Sequence, residues 1–341
     1  PLTNEHPRNK MARQAARRSF AHFLNVLFEG GIPPEGRQLF RQVHLIPVPK
    51  TDSLQGPIRP IAVMGSLVRL VSIMANKLAT KSGAFTRLAP LQMGVGTKDG
   101  AGILAHTMAA AREILPEGVI LQEDISNAYG SIHREAVGAA IERDLPIFKD
   151  YWSWLYGTPL PAVFELEDGT LAELSIDQGL NQGDPSAGGF FAVTVQPALR
   201  EVAEAHTGVL AMSYYDDNFS AGHMGQVAEA AALRATLLGQ LGLVVNNEKS
   251  RVLCGSAEAY QTCIDADLFS GASIVKLTEG VKLLGCPVGS PEFQLEVLTD
   301  AVDGAVLLME AVTKLKDRQT RLALLRRCVL PRIDFLSRFL P

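Results

Sequence analysis

Two adjacent carboxylates, Asp216 and Asp217, break the apolar, aromatic run AMSYY and are followed at once by Asn218-Phe219. Like charges side by side resist burial unless a positive charge sits against them. The pair therefore fits either a solvated turn or one half of a cation site. A third acid, Asp124, closes the apolar, β-favouring segment GVILQEDI (118–125). Strand ends and tight turns can bring such carboxylates together while the apolar strands behind them hold the geometry. Three hard oxygen donors grouped this way suit Mg2+, with Mn2+ as the alternative ion. Two such ions about 3.5–4 Å apart serve an in-line phosphoryl transfer, one on the attacking hydroxyl and one on the leaving oxygen.

The elements that must position these acids can be read from periodicity. Apolar residues at Ala12, Ala15, Phe20, Leu24 and Leu27 predict an amphipathic helix over 10–29, stopped by Gly30-Gly31 and Pro33. Its other face carries Lys10, Arg13, Arg17 and Arg18. QVHLIPVPK (42–50) and IRPIAV (58–63) read as a hairpin bearing Lys50 and Arg59, because the prolines hold their neighbours extended. Asp99 is placed to cap a helix that ends before Pro116. A further helix begins near His133, and AVFELEDGTLAELSI (162–176) reads as a hairpin turning at Asp168-Gly169. QGLNQGDPSAGG (178–189) opens an apolar helix, and the stretch around Asp216 is a strand, turn and strand. Next come a helix over 226–241 and a strand over 241–253 that ends in a turn with Lys249. VKLLGCPVG (281–289) is a short hairpin, and two helices close the chain. Helices and strands alternate without a regular βα repeat, which predicts an α+β fold.

The 341 residues, 47% of them hydrophobic, suffice for two or three lobes with a substantial core. No apolar run is long enough to span a bilayer, and PLTNEHPRNK lacks a secretory apolar stretch. The four cysteines stand far apart with no C-x-x-C pair, which argues against a zinc knuckle or disulfide framework. These features point to an intracellular setting, nuclear or cytoplasmic, and to no membrane partner. The formal charge of −4 hides an uneven distribution. Residues 1–50 carry eight Lys/Arg against three Asp/Glu, and residues 314–341 eight against two. Two basic ends around an acidic middle suit flanks that touch phosphate and a centre that collects cations; they also suit an ordinary solvated surface.

The order of motifs is more specific than any one of them. LIPVPK and RPI precede QEDISNAYGSI; GLNQGDPSAGGFF, YYDD, LGLVVNNEKS and LLGCPVG follow in that order. This succession resembles the reverse transcriptases, and among them most closely the enzymes of non-LTR (LINE-like) retrotransposons. FFAVTVQPAL and LLRRCVLPRIDFLSRFLP resemble the same group. The resemblance runs from about Phe20 to the end of the chain. It implies a right-hand polymerase: fingers over 1–115, palm over 116–290 with an antiparallel sheet and a hairpin near 160–180, and a partial thumb over 291–341.

The resemblance also implies roles. Asp124, Asp216 and Asp217 match the catalytic acids that bind Mg2+, with the carbonyl of Ile125 assisting. Tyr129 matches the gate that excludes a 2′-hydroxyl; by itself it fits a core aromatic better. Lys50 and Arg59 match residues that hold the triphosphate, and Gln182 and Gly183 the loop beside the incoming base. Lys249 matches the lysine that neutralises pyrophosphate, or is a turn lysine only. LLGCPVG matches the hairpin that grips the primer. The implied activity is RNA-dependent DNA polymerisation, a nucleotidyl transfer from dNTPs to a DNA primer on an RNA template. The alternative is an inactive or domesticated copy that serves as an RNA-binding scaffold. Ribonucleotide polymerisation conflicts with Tyr129. Ala187 replaces the family's usual serine, Tyr215 is bulkier than the common residue before the acids, and the missing nuclease segments suggest a piece of a larger element protein.

Overall fold

A computed structural model describes residues 7–49, 58–166 and 168–338. The first helix, α1 (Pro7–Phe28), runs as the spacing predicts and buries Leu24 and Leu27. It is followed by α2 (Pro34–Arg41), β1 (Val43–Pro49), β2 (Ile58–Met64), α3 (Ser66–Lys81) and α4 (Gly100–Ile114). The middle of the chain holds β3 (Val119–Ile125), α5 (Ala128–Ser131), α6 (Arg134–Asp144), α7 (Lys149–Tyr156), β4 (Leu160–Glu165), β5 (Leu171–Ile176) and α8 (Ala187–Ala205). Then come β6 (Leu210–Tyr214), β7 (Asp217–Gly222), α9 (Met224–Gln240), β8 (Val245–Cys254), α10 (Ala257–Asp265) and β9 (Ser273–Lys276). The hairpin β10 (Val281–Leu283) and β11 (Cys286–Val288) precedes α11 (Pro291–Thr313), α12 (Arg318–Leu324) and α13 (Leu330–Leu336). The α+β expectation holds. Among the described residues, no helix is long and apolar enough to cross a membrane.

The chain divides into two compact units. One comprises the described residues up to Thr97, Ser126–Pro197 and Leu237–Val244; the other comprises Lys98–Ile125, Ala198–Thr236 and the described residues from Val245. In the first, four strands run in the order β2-β1-β4-β5. The predicted hairpin of β1 and β2 is antiparallel from Val43 opposite Met64 to Pro49 opposite Ile58. β4 and β5 turn where Asp168 Oδ1 accepts hydrogen bonds from the Thr170 amide and hydroxyl. Phe148, Tyr151 and Phe190 form a buried aromatic core against Phe28.

The second unit carries the five-stranded sheet β6-β7-β3-β8-β9 and the hairpin β10-β11. The predicted antiparallel character holds except at two pairs, β8 with β9 and, in the first unit, β1 with β4. Helix α10 lies between β8 and β9 in sequence, and a parallel neighbour needs such a crossover. Three further expectations change. Lys249 lies inside β8, which runs on to Cys254, although the strand bulges there: its partner moves from Asn246 to Arg251 while β3 advances from Asp124 to Gln122. Asp99 heads α4 with a left-handed φ of 57°, its carboxylate caps no amide, and Arg338 Nη1 lies 3.7 Å from it. The closing helices number three, because a π-helical turn over Leu325–Val329 separates α12 from α13.

Candidate active site

In the second unit, strand register decides where the acids stand. β3 and β7 pair down to Glu123 opposite Asn218, and one more step of that register sets Asp124 opposite Asp217. Directly opposed residues on an antiparallel pair have Cβ atoms about 4.5–5.5 Å apart and share a face. Tyr214 pairs with Asp217, so Tyr215 and Asp216 form a two-residue turn, with Tyr215 at φ 55°. A left-handed non-glycine residue there costs roughly 1–2 kcal/mol, and the turn is braced from below. Buried Asn218 accepts from Ser213 Oγ (2.7 Å) and donates to the Asp216 carbonyl (3.4 Å).

The charges interact as the register implies. Partial burial, then Asp216, then Asp124, push the Asp217 carboxyl up to about 6. Among the described residues, no three Asp, Glu, His or Cys side chains close around an ion unaided. The donor chemistry nonetheless fits Mg2+, which takes one or two carboxylates and fills its remaining positions with water and phosphate oxygen. Asp124 is 38% exposed at its side chain, so it does not point into a dry interior. Lys249 Nζ lies 3.7 Å from Asp124 Oδ2. The bulge of β8 that carries Lys249 also directs Ser250 Oγ to accept the Asp124 amide (3.3 Å) while donating to the Asn246 carbonyl (2.8 Å).

The sign of the pH effect follows. A carboxyl held above its unfolded value of 3.8 has its full relative stability below 3.8 and loses it as pH rises towards 6. Metal-free Asp217→Asn should therefore be more stable than wild type by about 2 kcal/mol at pH 8, allowing for partial exposure, and by little at pH 4. Thermal unfolding in chelator at both pH values checks this; an equal shift at both would remove the coupling.

Tyr129, Gln182, Gly183 and Arg59 lie in the first unit. Tyr129 sits on α5, half-buried, its ring stacked on Phe191 at 5.1 Å and 23°. Its carbonyl accepts the Leu180 amide at 2.6 Å, tying the segment to the glycine-rich loop. Gly183 fulfils its expected need for close approach, but towards protein: a Cβ there would collide with the Ala62 carbonyl oxygen of β2. Gln182 is exposed and lines a cavity of about 200 Å3 with Ala62, Asn127, Gln178, Leu180 and Asn181. The lining is apolar walls and neutral amides, a composition suited to a neutral heterocycle. Arg59 is exposed on β2 opposite Val48. Lys50 lies outside the described residues. LLGCPVG forms β10 and β11 about Leu284 and Gly285, both at positive φ as a two-residue hairpin favours.

Residues 48–288 match the family described as reverse transcriptase (RNA-dependent DNA polymerase). The chain belongs to the reverse transcriptase family. No curated protein matches it. Two solved structures share the fold of this reverse transcriptase-family chain. Telomerase from Candida tropicalis, in complex with the TWJ fragment of telomeric RNA, aligns with TM-score 0.54 at 13% identity over 84% of this chain and 53% of its own. Telomerase from Candida albicans, with the corresponding RNA fragment, gives 0.50 at 11% over 90% and 56%. The chain thus spans about half the length of the structures it matches. At this identity the likeness shows the fold, which is that of the right-hand polymerases.

Two features of this reverse transcriptase-family chain went unread in its sequence. Glu123 and Arg234 form a buried ion pair behind Asp124, and Arg234 Nη1 donates to Ser220 Oγ at 2.9 Å. Burial pushes the Glu123 carboxyl up and Arg234 opposes it. Asp184, in the glycine-rich loop, is buried among hydroxyl and amide donors, and desolvation raises its carboxyl. A signal existed for the first. Arg234 falls on the stripe Val227, Ala230, Leu238, where an apolar residue belongs.

Proposed function

We propose that this chain is an RNA-dependent DNA polymerase of the non-LTR retrotransposon type, adding dNTPs to a primer 3′-hydroxyl on an RNA template. The observation that carries the reading is the β3–β7 ladder, whose end pair of Glu123 with Asn218 adjoins Asp124 and Asp217, within a family match over 48–288. Mg2+, or Mn2+, would be held by Asp124, the Ile125 carbonyl, Asp216 and Asp217, and supplies Lewis-acid activation of the attacking hydroxyl and charge neutralisation at the phosphates. The chain's own residues bind and orient. Lys50 and Arg59 hold the triphosphate, Gln182 and Gly183 flank the incoming base, and Tyr129 excludes a 2′-hydroxyl. Lys249 moves from Asp124 to the departing pyrophosphate, neutralising it or giving it a proton. Fingers, palm and partial thumb are assigned to 1–115, 116–290 and 291–341, with LLGCPVG gripping the primer. Exposed Arg17 and Arg18 on α1, and Arg326, Arg327 and Arg332 near the other end, hold the template–primer backbone.

Primer extension with dNTPs, Mg2+ and a primed RNA template tests the proposal. Folded protein that binds RNA but incorporates nothing on any primed template would leave the scaffold reading instead. Within an active enzyme, Tyr129→Ala should raise ribonucleotide incorporation relative to dNTPs by about tenfold or more, since only bulk opposes the extra hydroxyl. An unchanged rNTP/dNTP ratio would remove Tyr129 from the gate.

A further inference from the structure

Resting on that polymerase reading, we infer that Tyr156 and Asp184 are positioning residues: together they clamp the loop of Gln182 and Gly183 and thereby set nucleotide affinity without touching nucleotide. The loop between β5 and α8 has no ladder or helix of its own; backbone bonds from the Leu180 amide to Tyr129 and from the Asp184 amide to Asn181 shape it, and side chains supply the rest of its order. One hydroxyl spans the loop. Tyr156 Oη accepts the Asn181 amide (3.4 Å) and donates to Asp184 Oδ2 (2.8 Å), bracketing Gln182-Gly183 on both sides. The other carboxylate oxygen, Oδ1, accepts from Ser72 Oγ of α3 (2.7 Å) and from the Ser186 amide (2.8 Å). Asn76, one turn further along α3, donates to the Pro185 carbonyl at 2.6 Å.

An acceptor-only group is what these three donors require, and a carboxylate is the side chain that offers one on two oxygens. A carboxylate buried among neutral donors is costly to hold. Its energetic disadvantage makes sense where it fixes a geometry, here on three elements at once. Tyr156 is itself immobilised apart from its hydroxyl. Its ring stacks on Trp152 (4.6 Å, 20°) and lies under the Arg134 guanidinium (5.4 Å), whose Nε donates to the Gly179 carbonyl at 2.9 Å. On the opposite side Gly183 is already against the Ala62 carbonyl, so the loop cannot retreat towards β2. Releasing the clamp therefore tilts Gln182 rather than shifting the loop as a body.

The test is Tyr156→Phe, which removes the hydroxyl and keeps the stacked ring. The dNTP KM should rise about tenfold while kcat stays within about threefold of wild type, because the carboxylates of β3 and the β6–β7 turn are untouched. Amide exchange over 181–186 should accelerate, while β3 and β7 stay protected. Asp184→Asn should retain more affinity than Asp184→Ala, since an amide can still accept from Ser186 and donate to Tyr156; it also carries the comparison if Tyr156→Phe does not fold. A wild type that does not extend primers overturns the polymerase reading and this inference with it. An active wild type whose Tyr156→Phe and Asp184→Ala variants keep the dNTP KM, or lose kcat alone, overturns only the inference.

Discussion

Primer extension by Asp216→Asn should fall to about a thousandth of the wild-type rate or lower, a loss of at least about 4 kcal/mol in transition-state stabilisation. Asparagine keeps the size and the turn but surrenders the negative charge that would hold a divalent ion. The turn itself should survive, because Asn218 still accepts from Ser213 and donates to the backbone carbonyl of residue 216. Asp124→Asn should lose as much, and its exposed neighbour Lys249 would then be left without its carboxylate partner. The two variants should also lose any rise in melting temperature that Mg2+ gives the wild type, while RNA binding through the basic flanks stays near wild type. Single-turnover incorporation, with a Mg2+ titration of thermal stability alongside, checks both statements. An Asp216→Asn enzyme that retains more than about a tenth of the wild-type rate would separate the turn from the chemistry.

The strands of the candidate site were legible because their signal is short-range. GVILQEDI is β-favouring and ends on acids, and YYDD sits between two β-favouring runs, so β3 and the β6–β7 hairpin follow from pattern alone. What pattern could not supply was register. A one-residue slip of β3 against β7 would send Asp124 to the other face, and only the buried alternation of Leu121 and Glu123 fixes it. The same limit explains Lys249. Its local sequence reads as a turn, yet the bulge lets β8 continue through it to Cys254. Asp99 shows the reverse error: a good capping residue stands at the helix start, but with its backbone left-handed the carboxylate makes no hydrogen bond to the amides. Asp184 was invisible for a further reason. In the sequence it is one polar residue in a polar loop, and its burial depends on Ser72 and Tyr156, 112 and 28 positions away.

Arg234→Met should destabilise the second unit by about 3–5 kcal/mol, more than any surface change in the chain, because it strands Glu123 in a dry site. Arg234 is 1% exposed and Glu123 3%, and their closest approach is Arg234 Nη2 to Glu123 Oε2. Without the guanidinium, burial alone acts on Glu123, and its carboxyl rises further above the ordinary range. The sign then follows: the variant keeps its stability at acid pH, where Glu123 is protonated in both states, and loses it as pH rises through the raised value. Denaturant midpoints for wild type and variant should accordingly diverge from pH 5 to pH 8. The double change Glu123→Leu with Arg234→Met should recover most of the loss, since no buried charge remains. Glu123 immediately precedes Asp124 on β3, so the pair also fixes which face the strand turns towards α9. A stable double variant that extends primers normally would show that burial alone sets the register. One that is stable but slow would show that the ion pair holds Asp124 in place, its charge selecting one strand position where apolar neighbours would tolerate a slip.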